Sequence, residues 1–209
     1  KRAVDLGKKG LEYAQRLGST HAIFHISTEL SHALYDLSTI TTTSDKRQLL
    51  VEAMTLGEKT VYYTEQLRPH YMLSQSIPYI IVARILFELG KLEDSKEKRK
   101  ELLEKSVSHM ETCIMLIQRY VASFPSRREL FAYLGSSHAE LGNILNQLYQ
   151  TTNEKEVLKK LIDAYQNAVH MNQKADLVSR AAEAYWQTAV AYDRLGEHLE
   201  SANNFECAS

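Results

Sequence analysis

The chain has 209 residues, a length that fits one or two globular domains. Lys and Arg total 25 and Asp and Glu total 26, so the formal net charge is −1, which argues against a chain built to coat nucleic acid or an anionic membrane. Glycine (8) and proline (3) are scarce, and this disfavours a turn-rich sheet protein or a flexible linker. The composition favours long helices with few turns.

The apolar residues recur at three- and four-residue spacing along almost the whole chain, which predicts a series of helices. We place the helices at 2–17, 20–38, 45–67, 70–90, 97–122, 126–149, 154–172, 177–195 and 198–208. Pro69 and Pro125 are predicted to open the fourth and sixth helices. Pro78 predicts either a kink in the fourth helix or its true start, because proline removes a backbone donor.

The two cysteines and the longest apolar run bear on the environment of the chain. Cys113 and Cys207 lie far apart without metal-ligand spacing, and we interpret both as small buried core residues. The longest apolar run, Ile77 to Ala83, is ended by Arg84 and is far shorter than the ~18 residues that a membrane span needs. We see no signal peptide and expect a cytoplasmic protein that does not insert into a membrane.

An internal repeat with a period of roughly 53 residues runs through the sequence. Residues 6–17 and 56–67 share five of twelve positions, and four leucines near helix ends recur at similar intervals: Leu37, Leu89, Leu141 and Leu195. Gly90, Gly142 and Gly196 follow the last three leucines, where we predict a left-handed helix end. The segment Asn143–Glu156 is then a long connection. Each unit is predicted to be a pair of helices, A and B.

Small residues recur at matching positions of the two helices, which allows the helices to approach closely. On helix A these are Ser31, Ala83, Gly135 and Ala189, and on helix B they are Thr60, Cys113, Ala168 and Ala208. A second recurring position of helix B, seven residues earlier, carries Ala53, Ser106, Leu161 and Ser201. One such hairpin cannot bury both of its faces, but stacked neighbours can. The pattern therefore predicts a helical solenoid.

The last unit, residues 182–208, carries a further pattern of aromatic and small residues. Its positions are Tyr185, Ala189, Tyr192, Leu195-Gly196, Ser201, Phe205 and Ala208. This unit resembles a tetratricopeptide repeat; residues 131–142 match well through helix A, and the first two units match more loosely. The standard period is 34, so we interpret the extra residues as longer helices and longer A–B connections. The resemblance implies an all-α fold, a right-handed α-solenoid of antiparallel helix pairs with about nine helices.

The resemblance also predicts the domain organisation. We expect a single repeat domain over 1–209, with a partial repeat at 1–17 and units at 20–67, 70–122, 126–172 and 177–208. Because neither end has the pattern of a natural cap, we expect this array to be part of a longer chain.

In tetratricopeptide arrays, residues of helix A line a concave groove that binds a partner. By resemblance, the candidate groove residues are His25, Thr28, His32, Tyr35, Asp36, Arg84, Phe87, Glu88, Glu129, Ser136, Glu140, Glu183, Trp186, Asp193 and Arg194. A carboxylate clamp of paired Lys and Asn is not supported at these positions. Aromatic residues mixed with Glu and Asp suit a peptide with apolar anchors and some basic residues. Phe87 and Trp186 have an equally good interpretation as core between repeats.

A stripe of His21, His25, Glu29, His32 and Asp36 lies on one face of the second helix, because its spacings are 4, 4, 3 and 4. Imidazoles four residues apart can bind Zn²⁺, and a carboxylate could complete a metal or ligand site. The simpler interpretation is a polar face on which the carboxylates pair with imidazoles.

The sequence therefore leads to one main hypothesis about function and two alternatives. The main hypothesis is a non-catalytic scaffold, without a cofactor, that binds a protein, a peptide or another copy of itself, and no nucleic acid. The first alternative is a helical sensor or enzyme with a site on the His21/His25/Glu29/His32 stripe. The second is a regulatory repeat module of a larger multidomain protein.

Overall fold

A computed structural model describes residues 2–64, 66 and 72–209, without the side chains of Thr43, Ser44 and Met72. These residues form nine α-helices and no strand, which confirms the all-α prediction. The helices are α1 (Arg2–Arg16), α2 (Thr20–Thr39), α3 (Thr43–Thr64), α4 (Met72–Lys91), α5 (Lys96–Ser123), α6 (Arg128–Thr152), α7 (Lys155–Lys174), α8 (Val178–Leu195) and α9 (His198–Ala208). The predicted helix start at Pro69 lies outside the described residues.

The chain divides into two compact units, residues 1–109 and 110–209. In the first unit, the small residues on facing helices explain why the helices approach closely. The Ser31 hydroxyl on α2 donates to the Ala53 carbonyl on α3 at 2.8 Å, and the Ser106 hydroxyl on α5 donates to the Ala83 carbonyl on α4 at 2.6 Å. All four residues are fully buried. The predicted small positions of helices A and B therefore form a repeated contact in which a serine satisfies its hydroxyl across the helix pair.

Helix α4 is the most apolar helix of the first unit. Its segment Leu73–Lys91 is, by length and composition alone, apolar enough to cross a membrane, but 56% of it is buried inside the fold. It supplies Val82, Ala83 and Ile85 to the core, so we interpret it as a core helix. Pro78 lies inside α4 and does not mark its start.

In the second unit, α6 and α7 form a hairpin that corrects two sequence predictions. Gly142 does not end a helix: it lies inside α6, and a Cβ at this position would come 2.5 Å from a ring carbon of Tyr165 on α7. Helix α6 continues to Thr152, which agrees with the predicted helix at 126–149 and contradicts the predicted 143–156 connection, and only Asn153 and Glu154 join the two helices. The left-handed residue that ends α6 is Asn153, with φ of 59°, and not Gly142 as predicted.

Gly90 is also helical, because it lies inside α4 and packs against Leu103 on α5. The left-handed prediction is confirmed at Gly196, which ends α8 with φ of 88°. Cys113 is buried as expected, whereas Cys207 is exposed, so the core assignment of Cys207 is wrong. The extra length of these repeats is therefore placed mainly in longer helices.

Candidate partner-binding faces of helices α2, α4, α6 and α8

In the first unit, α2 carries the predicted histidine stripe. The His21 and His25 rings meet edge to face with centroids 4.4 Å apart, and His32 Nε2 lies 3.7 Å from Asp36 Oδ1. Partial burial and the neighbouring His21 lower the pKa of His25, against a smaller opposing effect of Glu29. His25 and Asp36 are exposed and His32 is half-buried, so the stripe is a polar surface.

The stripe does not assemble a metal site. Across the part of the chain that the structure describes, no three His, Cys, Asp or Glu side chains form a group that could hold a metal ion. His32 pairs with Asp36 on the same helix, as the simpler interpretation predicted, whereas His21 meets another imidazole, that of His25. The geometry therefore gives no support to the sensor or enzyme alternative on this stripe.

Two of the predicted groove residues in this unit are buried, so the expectation that they face a partner is wrong. Thr28 donates its hydroxyl to the Phe24 carbonyl at 2.8 Å, a bond within its own helix. Glu88 accepts from Lys46 at 2.6 Å and from Lys91 at 2.8 Å. Burial acts to raise the pKa of Glu88, but these two hydrogen bonds outweigh it, and the pKa lies below its usual range.

The remaining predicted residues of this unit, Tyr35, Arg84 and Phe87, are half-buried. The ammonium group of Lys91 lies 5.2 Å from the centre of the Phe87 ring, in a cation–π contact. The same ammonium group is paired with Glu88, so this face combines an apolar ring with an ion pair beside it.

In the second unit, α6 and α8 are held side by side by long polar side chains. Arg180 on α8 donates to the Ser136 hydroxyl on α6 at 3.0 Å. Fourteen residues further on, near the end of α8, Arg194 donates to Asn146 Oδ1 at 2.6 Å. Ser136 and Glu140 are half-buried, whereas Glu129 and Arg194 are exposed. The two bonds connect α6 and α8 at Arg180, near the start of α8, and at Arg194, near its end.

Trp186 is the largest exposed apolar side chain of α8. It is 53% exposed, and one side of its ring packs edge to face on Phe205 of α9 with centroids 4.8 Å apart. Glu183 and Asp193 flank it on the same exposed helix. Glu183 accepts from Gln187 at 3.1 Å, and Asp193 lies 3.1 Å from His198. Phe205 thus packs against one side of the Trp186 ring, and the rest of the ring is exposed to solvent.

Three residues of this face, Asn143, Asn146 and Tyr165, are absent from the set of groove residues that the resemblance predicted. Asn143 and Asn146 lie on consecutive turns of α6, and the Tyr165 side chain extends from α7 to Asn143. The Tyr165 hydroxyl donates to Asn143 Oδ1 at 2.8 Å, and burial raises the pKa of Tyr165 to about 12. The continued helical spacing of Ile144, Leu145 and Leu148 was the signal that these residues belong to α6.

Comparison with known proteins adds information at the level of the fold. Neither the protein-family models nor the curated proteins give a match to this chain. The solved crystal structure of MamA matches 98% of this chain and 84% of its own at 16% identity, with a TM-score of 0.55. A structure from the computational design of self-assembling cyclic protein homooligomers matches 99% of this chain and 90% of its own at 9% identity, with a TM-score of 0.52. At these identities the likeness shows the fold alone: the chain has a helical repeat fold.

Proposed function

We propose that this chain is a non-catalytic scaffold that binds a peptide or a partner domain on the exposed faces of its A helices. The observation that carries the proposal is Trp186, which is 53% exposed on a rigid helical face in the second unit. A half-exposed tryptophan that is packed from behind can bury its open side against a partner with little loss of side-chain freedom. The resemblance to tetratricopeptide repeats supports the same function, and we propose a cytoplasmic location.

The polar groups of α6 and α8 in the same unit suggest what the partner offers. The side-chain oxygens of Asn143 and Asn146 already accept hydrogen bonds from Tyr165 and Arg194. Their amide nitrogens are consequently the groups left to donate, and they match the carbonyl oxygens of an extended peptide. Glu183 and Asp193 favour a basic residue beside an apolar anchor. The expected ligand is an extended segment with an aromatic or aliphatic anchor and a Lys or Arg nearby.

The chain contains its own reporter for this test, because Trp186 is its sole tryptophan. We would select ligands for the wild-type chain from a displayed library of random peptides and add the selected peptides while recording tryptophan emission. Binding on this face should shift the emission to shorter wavelength, since the indole loses water contacts. Trp186→Ala should weaken binding of the labelled peptide by at least about tenfold, a loss of roughly 1.4 kcal/mol or more.

Leu199→Ala is the matched control, because Leu199 is an exposed apolar residue on α9. It should leave the affinity of the selected peptides within about twofold, which is under 0.5 kcal/mol. Selected peptides that bind Trp186→Ala as well as wild type, with the variant still folded by circular dichroism, would contradict the proposal.

A further inference from the structure

Helices α1 and α3 enclose a groove of about 380 Å³ over the N-terminal half of α2. Its lining includes Leu11 and Gln15 of α1, Ser27 of α2, and Lys59 and Tyr63 of α3, and we call it the α1–α3 groove. It lies within the first unit, and its volume is in the range of sites that hold small ligands or single side chains.

The base of this groove holds a hydroxyl that the fold leaves unsatisfied. Ser27 is 1% exposed, and its Oγ has no hydrogen-bond partner among the described residues. Because a buried hydroxyl without a partner destabilises the folded chain, alanine would suit this position better unless a ligand uses the serine. Gln15 and Tyr62, which line the same groove, are exposed, and such side chains change rotamer within nanoseconds, so an entering group can reach Ser27.

The second unit contains an equivalent groove, between α7 and α9 over the N-terminal half of α8. Gln173 lines it, 158 residues after Gln15. The turns that lead into α2 and α8 match as well: Gly18 and Asp176 both have φ of 62°, and their amides donate to the Gln15 and Gln173 carbonyls at 3.1 and 3.0 Å. Positions of α1 and α2 therefore correspond to positions of α7 and α8 with a constant offset of 158 residues.

A tyrosine fills the equivalent groove from within. Tyr185 of α8 corresponds to Ser27 of α2 and lines the groove of the second unit. Its ring packs against a cluster that includes Val169 of α7, and its hydroxyl accepts from Gln173 at 3.2 Å. The space that remains there is about 270 Å³, against about 380 Å³ in the α1–α3 groove. In the second unit, the groove is thus a site for a phenol ring that the chain itself provides.

The α1–α3 groove keeps the surroundings of that ring without the ring. Leu11 and Gln15 stand where the second unit has Val169 and Gln173, so an apolar side chain and an amide donor are both present. The small Ser27 leaves the space between them open. A ring that enters from outside can pack on Leu11 and accept a hydrogen bond from Gln15 through a phenolic oxygen.

Neighbouring helices leave this groove open. In the second unit α6 precedes α7, and no described residue of α6 lines the equivalent groove. In the first unit α4 follows α3, and no described residue of α4 lines the α1–α3 groove. A further helix packed beside α1, in the place that α6 has beside α7, would therefore leave the α1–α3 groove open as well.

A second recess continues the groove along α1 and α3. It holds about 390 Å³ and shares Leu11, Gln15 and Thr55 with the first. Leu30 and Leu56 make part of its lining apolar. A free ring would fill only one of the two recesses, whereas an extended segment that carries a ring and a second apolar side chain fills both.

We propose that the α1–α3 groove binds a tyrosine side chain presented by an extended segment of a partner protein. The ring packs on Leu11, its hydroxyl accepts from Gln15, and the Ser27 hydroxyl donates to the negative face of the ring. A neighbouring apolar residue of the segment enters the recess at Leu30 and Leu56. This site lies in the first unit, whereas Trp186 lies in the second, so the proposal does not rest on the Trp186 face.

The test uses heptapeptides with a fixed central tyrosine, selected from a displayed library on the whole chain. Peptides that leave Trp186 emission unchanged are taken forward, since they do not bind at the Trp186 face. Isothermal titration compares each peptide with its phenylalanine version and with p-cresol, the free ring of a tyrosine side chain. Tyrosine should bind about fivefold more tightly than phenylalanine, because the phenol adds a hydrogen bond. The selected peptides should bind at least about tenfold more tightly than p-cresol.

Variants of the chain locate the ring. Gln15→Ala removes the donor and should abolish the preference for tyrosine over phenylalanine. Ser27→Tyr should fill the groove from within, as Tyr185 does, and weaken peptide binding by more than about tenfold. Gln48→Ala is the matched control, because Gln48 is also exposed but lies on α3 away from the groove lining. It should leave the affinity within about twofold.

The second unit supplies the reciprocal variant. Tyr185→Ser should open the equivalent groove, so the chain should bind two molecules of p-cresol in place of one. p-Cresol should then raise the Tm of Tyr185→Ser more than that of the wild type, because the ligand binds the folded state. Circular dichroism checks the fold of each variant, and if Ser27→Tyr does not fold, Gln15→Ala and Tyr185→Ser still decide.

Three outcomes would overturn the proposal. A preference for tyrosine that persists in Gln15→Ala would place the ring elsewhere. Failure to obtain any tyrosine peptide that binds without a change in Trp186 emission would leave the groove without its ligand. Binding of p-cresol as tight as that of the selected peptides would indicate a small-molecule site in place of a partner segment. None of these outcomes bears on the Trp186 face, whose ligands shift the emission of Trp186.

Discussion

A Leu-Gly dipeptide has different structural roles in the two helix hairpins of the second unit. In the α8–α9 hairpin, Leu195-Gly196 ends a helix, and Gly196 adopts the left-handed conformation with open space around it. In the α6–α7 hairpin, Leu141-Gly142 lies within a helix, and Gly142 lets the Tyr165 ring approach the backbone. Gly196 is required because its φ angle is positive, and Gly142 is required because a side chain there would collide with the Tyr165 ring.

The residues after each glycine determine this difference. Gly142 is followed by Asn-Ile-Leu-Asn-Gln-Leu, in which buried Ile144, Leu145 and Leu148 keep the helical spacing. Gly196 is followed by Glu-His-Leu-Glu, all of which are exposed. Continuing α8 through these residues would therefore bury no apolar side chains to stabilise the added turn. The continuation of α6 carries Asn143 and Asn146 to α7 and α8. The candidate binding face thus depends on the longer hairpin.

The largest expected effect is a loss of stability in acid that arises from the longer hairpin. His138 of α6 is buried with no partner for Nδ1 among the described residues, and burial lowers its pKa from 6.5 to about 4. The unfolded chain binds a proton more readily than the folded chain between these values. The free energy of unfolding should therefore fall on the order of 3 kcal/mol as the pH decreases from 6.5 to 4.

Chemical denaturation across this pH range measures the effect. His138→Leu should flatten the slope, while His198→Gln, which changes an exposed imidazole of the shorter hairpin, should leave it in place. An unchanged slope in His138→Leu would contradict the burial of this imidazole.

The second effect is steric. Gly142→Ala should lower the free energy of unfolding by about 2 kcal/mol, because the new Cβ meets the ring of Tyr165, which is buried and hydrogen-bonded to Asn143. Urea denaturation checks this value. In a Tyr165→Leu background the same substitution should be neutral or stabilising, since alanine is the better helix former. A full loss in that background would show that the ring is not the obstacle.

The corresponding change in the shorter hairpin should have a smaller effect of a different origin. Gly196→Ala places a side chain in the left-handed conformation without any clash and should cost about 1 kcal/mol. Because the cause is local to the backbone, Tyr165→Leu should not alter it. The same denaturation series provides this comparison, and a coupling above about 0.5 kcal/mol would contradict it.

The smallest effect concerns the hydrogen bond between α6 and α7 within the longer hairpin. Tyr165→Phe removes the donor to Asn143 and should lower the free energy of unfolding by less than about 1 kcal/mol, because the exposed Asn143 can turn to water. The same variant should weaken binding of peptides selected on the Trp186 face, because Asn143 loses its fixed orientation. Unchanged binding would remove Asn143 from that face.

Much of the fold follows from local pattern, because helical spacing and small residues are visible in sequence. The helix bounds agree closely with prediction, and Ser31 and Ser106 lie at predicted close contacts. Thr28 and Glu88 were misplaced because their burial depends on the rotation of α2 and α4 against their neighbours. Spacing along one helix does not fix that rotation.

The missed residues of the binding face have a related cause. Asn143 and Asn146 fell within the predicted helix at 126–149 and also within the predicted 143–156 connection, and the apolar spacing beyond Gly142 decides for the helix. The sequence does not distinguish a glycine that is needed to make room for an aromatic ring from a glycine that ends a helix. For Gly142 the ring belongs to Tyr165, which lies on another helix. The cytoplasmic location and the single-array organisation remain predictions.

The most direct test of the central claim is amide hydrogen exchange over residues 143–152. Our account places this segment inside α6, joined to α7 and α8 by the Asn143 and Asn146 contacts. It predicts slow exchange there, comparable with residues 130–142 and slower than at the end of α8 around Gly196. Rapid exchange over 143–152, with residues 130–142 protected, would contradict the account, because the segment would then be a connection without the proposed face.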